Sequence, residues 1–168
     1  MNIREALLAE HSKRQTMKIV RFIGDDPKRF AELMSVFFAG PYRVTQRAAW
    51  PISYCIEYHP ELVKPYFGRL ISLLEVSDDH NAIRRNVARL LQFVDIPRKY
   101  KTRVFEACYA LVDDPNQPVA VRVFAMSVAS KAAQGHAELA RELALVIGKY
   151  TENGSAGFKA RARKILKA

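Results

Sequence analysis

Long apolar runs are missing from this 168-residue chain. None approaches the roughly 18 residues that cross a bilayer, so no membrane-spanning helix is expected. The opening residues, MNIREALLAEHSKRQ, carry Arg and Glu inside an amphipathic pattern and do not read as a secretory signal. Cysteine is scarce. Cys55 and Cys108 both lie in apolar helical patterns, which argues against a disulfide framework and for buried thiols in a reducing cytoplasm. Sustained apolar–polar alternation is missing too, and no Asn-Gly or Asp-Gly pair is flanked by it, so no sheet is expected. No Gly-rich phosphate loop, nucleophile elbow or metalloprotease pattern occurs, so no catalytic residue and no cofactor is assigned. Cys55 and His59 stand at i, i+4, a spacing that can hold metal, but two ligands are too few for a zinc site.

What the chain has in excess is positive charge. Lys and Arg number 27 against 17 Asp and Glu, a formal net charge of +10. The excess is uneven: residues 1–80 hold 11 basic and 10 acidic side chains, residues 81–168 hold 16 and 7. Such asymmetry points to a polyanionic partner, nucleic acid first. A solvated basic face that binds nothing in particular accounts for it equally well.

Helical periodicity runs from end to end. Residues 2–23 read as helix, with Ser12 able to cap a second segment and Gly24 ending it. Asp26 and Pro27 open a helix over 27–39 as N-cap and first residue. Helices are then expected over 42–58, with Pro51 inside, and over 61–76, 82–94, 98–113, 118–134, 138–151 and 156–167. The stretch PVAVRVFAMSVASKAAQ, Pro118 to Gln134, is the clearest of these. Val119, Val123, Met126, Ala129 and Ala133 are its expected apolar face.

A bulky residue followed three positions later by Arg or Asn occurs four times in helices. Val44 precedes Arg47, Ile83 precedes Asn86, Val119 precedes Arg122 and Phe158 precedes Arg161, at intervals of 39, 36 and 39 residues. A period in this range is that of a helical-pair repeat. The expectation is one all-α domain over 1–168, an α-solenoid of about five antiparallel helix pairs, near 2–24, 26–58, 60–95, 97–135 and 137–168.

These features resemble the HEAT-like repeat family. Asp113-Asp114 with Val119 and Arg122 carry the likeness, as do Asp78-Asp79 with Ile83 and Asn86, and Val44 with Arg47. The resemblance covers roughly residues 26–168. It implies a right-handed α-solenoid and a non-enzymatic scaffold that binds a protein partner through its concave face. HEAT-like alkylpurine DNA glycosylases share the basic face, but no catalytic Asp of theirs matches residue by residue here.

Arg47, Asn86, Arg122 and Arg161 occupy the repeat position. The favoured reading is structural, with each Arg pairing a turn Asp; a row of guanidinium groups facing phosphates is the functional one. Arg84, Arg85, Arg89, Arg98, Lys99, Lys101 and Arg103 form one basic cluster, and Lys159, Arg163, Lys164 and Lys167 another. On one face they would neutralise several phosphates and bind nucleic acid independently of sequence. Trp50, Tyr54 and Tyr58, at i, i+4 and i+8, make an aromatic stripe that reads as core. The first expectation for the partner is therefore a protein, the second a nucleic-acid backbone, and no membrane.

Overall fold

The computed structural model describes residues 1–75 and 81–167. Every regular element among them is helical. The α-helices are α1 (Ile3–Ala9), α2 (Lys13–Ile23), α3 (Pro27–Ala39), α4 (Tyr42–Tyr58), α5 (Phe67–Glu75), α6 (Asn81–Leu91), α7 (Lys101–Asp113), α8 (Val119–Ala132), α9 (Ala137–Thr151) and α10 (Ala156–Leu166). Short 3-10 segments occupy Pro60–Tyr66 and Arg98–Tyr100. No helix is long and apolar enough to cross a membrane among the described residues.

Local chemistry sets the ends. The Asn2, Ser12 and Ser155 side chains accept from the backbone N–H three residues on, and Asp26 accepts from Lys28 and Arg29. Each satisfies an amide that the first helical turn leaves without an internal partner. The Ser12 cap splits the run 2–23 into two helices, and Gly24 closes the second at a φ of 54° that a side chain would resist. The helix expected over 61–76 is instead a 3-10 segment followed by α5. Pro65 explains this, since it has no N–H to give to the carbonyl four residues back. The turn expected at Ser77-Asp78-Asp79-His80 lies outside the described residues.

The chain forms two compact units, residues 1–66 and 67–168. In the first, α4 packs against α1, α2, α3 and the 60–66 segment. Phe30, Leu33, Met34, Phe37, Ile52 and Ile56 form its centre, each at most 1% exposed. Trp50 is half-buried with its ring edge-on to His11, and Tyr54 stacks on the exposed Tyr58. Cys55 is buried here and Cys108 in the second unit; burial pushes each thiol up to about 12, which disfavours the thiolate.

In the second unit α8 is the central helix, packing against α6, α7, α9 and α10. Its buried residues are Val121, Arg122, Ala125, Met126, Val128, Ala129 and Ala132. The expected face needs correcting. Val119 is 48% exposed and Val123 only half-buried. Val119, Val121 and Val123 are chemically alike, so spacing alone cannot choose among them; neighbours on several sides do.

Burial also resets the repeat. Val121, Arg122, Ala125, Met126, Ala129 and Ala132 on α8, with Ala133 at its C-cap, are matched, 77 positions earlier, by buried Val44, Thr45, Ala48, Ala49, Ile52, Cys55 and Ile56 on α4. On α6 and just past it, Arg84, Val87, Ala88, Leu91 and Val94 match Arg122, Ala125, Met126, Ala129 and Ala132 at 38 positions. The aligned bulky residues are thus Val44, Ile83, Val121 and Phe158. Arg122 shares its position with Thr45 and Arg84, not with Arg47, Asn86 and Arg161.

Arg122 is 9% exposed. Its Nε and Nη2 donate to the Val112 carbonyl at 3.0 and 2.7 Å, at the end of α7. Its guanidinium carbon lies 4.4 Å from the Tyr150 ring centre and 4.6 Å from that of Phe158. Burial lowers its pKa, and Tyr150, Asp114 and Asp113 oppose that shift. Asp113 itself binds Lys149 at 2.8 Å and the Tyr150 hydroxyl at 3.1 Å, and Asp114 accepts from Gln117 and the Asn116 amide. The expected Arg–Asp hydrogen bond is therefore replaced by an Arg–carbonyl bond, because other donors hold both carboxylates.

Two predictions follow from this centre. Arg122→Ala strands the Val112 carbonyl and opens a void between two rings, and is expected to cost about 3 kcal/mol. In a chain of this size that lowers Tm by roughly 10 °C, read by thermal circular dichroism; an unchanged Tm would refute the role. The Lys149 ammonium, with the Tyr150 hydroxyl, holds the Asp113 carboxyl below its ordinary value of 3.8. A depressed carboxyl pKa contributes stability above the unfolded value and loses it as pH falls through the folded one. The wild-type Tm is expected to drop below about pH 4 more steeply than that of Asp113→Asn, a modest difference at so exposed a pair.

Candidate polyanion-binding face

Charge in the second unit is sorted by helix. The alternate helices α5, α7 and α9 carry five basic and five acidic residues. The helices between them carry Arg84, Arg85 and Arg89 on α6, Arg122 and Lys131 on α8, and Lys159, Arg161, Arg163 and Lys164 on α10, with no Asp or Glu. Opposite charges that would screen these side chains locally are absent from their own helices.

Hydrogen bonds tie one face of α6, α8 and α10 together. Arg161 Nη1 on α10 donates to Ser127 Oγ on α8 at 2.6 Å and to Gln92 Oε1, just past α6, at 3.4 Å. Lys131 Nζ reaches the Gln92 and Val94 carbonyls at 3.1 and 2.6 Å, where a cation complements the C-terminal end of α6. Between α6 and α8 a cleft of about 270 Å³ is lined by Arg85, Asn86, Arg89, Ala120 and Phe124.

The predicted basic residues separate accordingly. Arg85 and Arg89 are exposed and line the cleft together. Lys164 is exposed on α10 and, in the burial register, stands where Arg89 and Ser127 stand. Arg163 is exposed at the position that Ala88 and Met126 bury, and Lys159 is half-buried at the position of Arg122. Arg98 and Lys99 are exposed in the 3-10 segment before α7, with Lys99 Nζ 5.0 Å from the Tyr100 ring centre. Arg84 is 6% exposed, with Nη1 3.5 Å from Gln117 Oε1. Arg103 forms a two-pronged pair with Glu75 at 2.7 and 2.6 Å and donates to Ser72 Oγ at 2.9 Å, which holds the Glu75 carboxyl below its ordinary value. Lys101 Nζ donates to the Gln134 carbonyl at 3.2 Å.

At the repeat positions, Arg47 Nη1 donates to the Leu7 and Leu8 carbonyls at 3.0 and 3.1 Å, and Asn86 lines the cleft. Arg161 is held by Ser127 and Gln92, and Arg122 by Val112. Phe124 was not singled out by sequence reasoning. In the corrected register it occupies the position of Arg47, Asn86 and Arg161, and placing the α8 motif at Val119 hides it.

Among the described residues no group of three or more His, Cys, Asp or Glu is placed to hold a metal ion. No curated protein and no solved structure matches the chain. A family model described as a HEAT repeat domain matches residues 3–168. Helical elements throughout the described residues, the buried pattern recurring between α4, α6 and α8, and that match agree: the chain belongs to the HEAT repeat family.

Proposed function

We propose that this chain is a non-enzymatic HEAT-repeat scaffold whose contact surface is the α6–α8–α10 face, and that the face binds the phosphate backbone of nucleic acid. One observation carries the reading: those three helices hold no acidic residue and expose Arg85, Arg89, Arg163 and Lys164, while basic and acidic residues balance on α5, α7 and α9. A polyanion gains from such a face by releasing counterions, and contacts to phosphate need no base sequence. Packing of α8 against both α6 and α10 supports serial stacking of helix pairs, the arrangement expected of a right-handed solenoid.

A second reading, binding of a protein partner, has its own support. HEAT repeats generally mediate protein interactions. An apolar groove of about 710 Å³ lies along the end of α8, α9 and α10, with Ala133, Leu143, Ala144, Ile165 and Leu166 in its walls. Leu145 on α9 is 74% exposed.

Fluorescence anisotropy with labelled duplex and single-stranded oligonucleotides across a salt series tests the first reading. The logarithmic salt slope is expected to be about −3 or steeper. Replacing Arg85, Arg89 and Lys164 with Ala is expected to flatten it by about one per residue. No binding of either oligonucleotide at about 50 mM salt would sink the nucleic-acid reading and leave the protein partner.

A further inference from the structure

We infer that the cleft between α6 and α8 is a single-nucleotide subsite for single-stranded nucleic acid, with a base stacked on Phe124 and its phosphate held by Arg85 and Arg89. The inference rests on the nucleic-acid reading of the face and narrows it from any phosphate backbone to an unpaired strand.

Three observations meet in one place. The cleft has a volume of about 270 Å³, the scale of one nucleotide rather than of a duplex groove. Its cationic wall is Arg85 and Arg89, four residues apart on α6 and both exposed, so both guanidinium groups point from one side of the helix. Its opposite wall is the half-buried Phe124 ring on α8, with Ala120 one turn earlier leaving room beside it. A phosphate gains neither charge nor a hydrogen-bond donor from a phenyl ring itself. The ring adds a flat apolar surface, which an unpaired base covers and a base in a duplex cannot reach. Asn86, half-buried in the same wall as the arginines, supplies an amide with donors and an acceptor for a base edge.

The register makes this position particular. Phe124 stands where the other second helices carry Arg47, Asn86 and Arg161. At that position Arg47 and Arg161 are spent on hydrogen bonds within the fold, to Leu7 and Leu8 and to Ser127 and Gln92. Phe124 has no polar atom to spend in this way, and its half-buried ring lines the cleft.

The test compares three probes on the full chain: a labelled thymidine strand of about 12 nucleotides, an abasic strand of equal length and the matching duplex. Wild type is expected to bind the thymidine strand roughly ten-fold more tightly than the abasic one. Phe124→Leu, which keeps an apolar side chain on α8, is expected to abolish that preference and to leave duplex affinity unchanged. Arg85→Ala with Arg89→Ala is expected to weaken both single strands equally. Equal affinity of wild type for the thymidine and abasic strands overturns the subsite, as does a preference that survives Phe124→Leu. In either case, abasic and duplex binding that the arginine variant weakens leaves the wider face standing. Failure of all three probes to bind removes both readings together. Should Phe124→Leu not fold by circular dichroism, the wild-type comparison of thymidine and abasic strands decides alone.

Discussion

The second unit is built around a charge that it buries. Arg122 sits near the start of α8, donates twice to the last turn of α7, and lies between the rings of Tyr150 on α9 and Phe158 on α10. A guanidinium group taken out of water is costly unless its donors are matched and its face is covered. Here the Val112 carbonyl matches the donors and two aromatic faces cover the plane, so four helices are held in one mutual arrangement by one side chain. Thr45 does a smaller version of the same work at the same repeat position, donating to the Gly40 carbonyl at 3.1 Å. In both cases a polar group on a second helix satisfies a carbonyl that the end of the preceding helix leaves open.

That scheme decides where the remaining charge goes. Among the described residues, the acidic side chains of the second unit lie on α5, α7 and α9 or in connecting segments, where Arg103 holds Glu75 and Lys149 holds Asp113. The helices between them receive none, so Arg85, Arg89 and Lys164 face solvent without a carboxylate on their own row. Each such exposed pair as Glu75–Arg103 adds little to stability. Its larger effect is to take the acids out of play on one row of helices and leave the net positive charge on the other.

Much of the local structure was legible in the chain. Ser12, Gly24 and Asp26 with Pro27 mark helix ends by chemistry that acts within four residues, and the helices begin and end there. The repeat was legible as a period but not as a register. Three valines at alternate positions in Val119–Val123 satisfy a periodic rule equally, and the alignment at Val119 turns Arg122 into a repeat partner of Arg47. Likewise, the clusters Arg84–Arg89 and Arg98–Arg103 read as one basic segment. In three dimensions Arg84 is buried, Arg103 is paired with Glu75, and Arg85 and Arg89 share a cleft.

Capping, periodicity and net charge are properties of neighbouring residues or of simple counts, so the chain alone specifies most of the helices, their period and the positive excess of the second half. Which side of each helix is inside, which cations are consumed by carbonyls and carboxylates, and the placing of Phe124 against Arg85 and Arg89 come from packing. Those outcomes depend on which helices lie next to one another. α8 meets four others at once, and no pattern along one strand of sequence records which of its faces each of them takes.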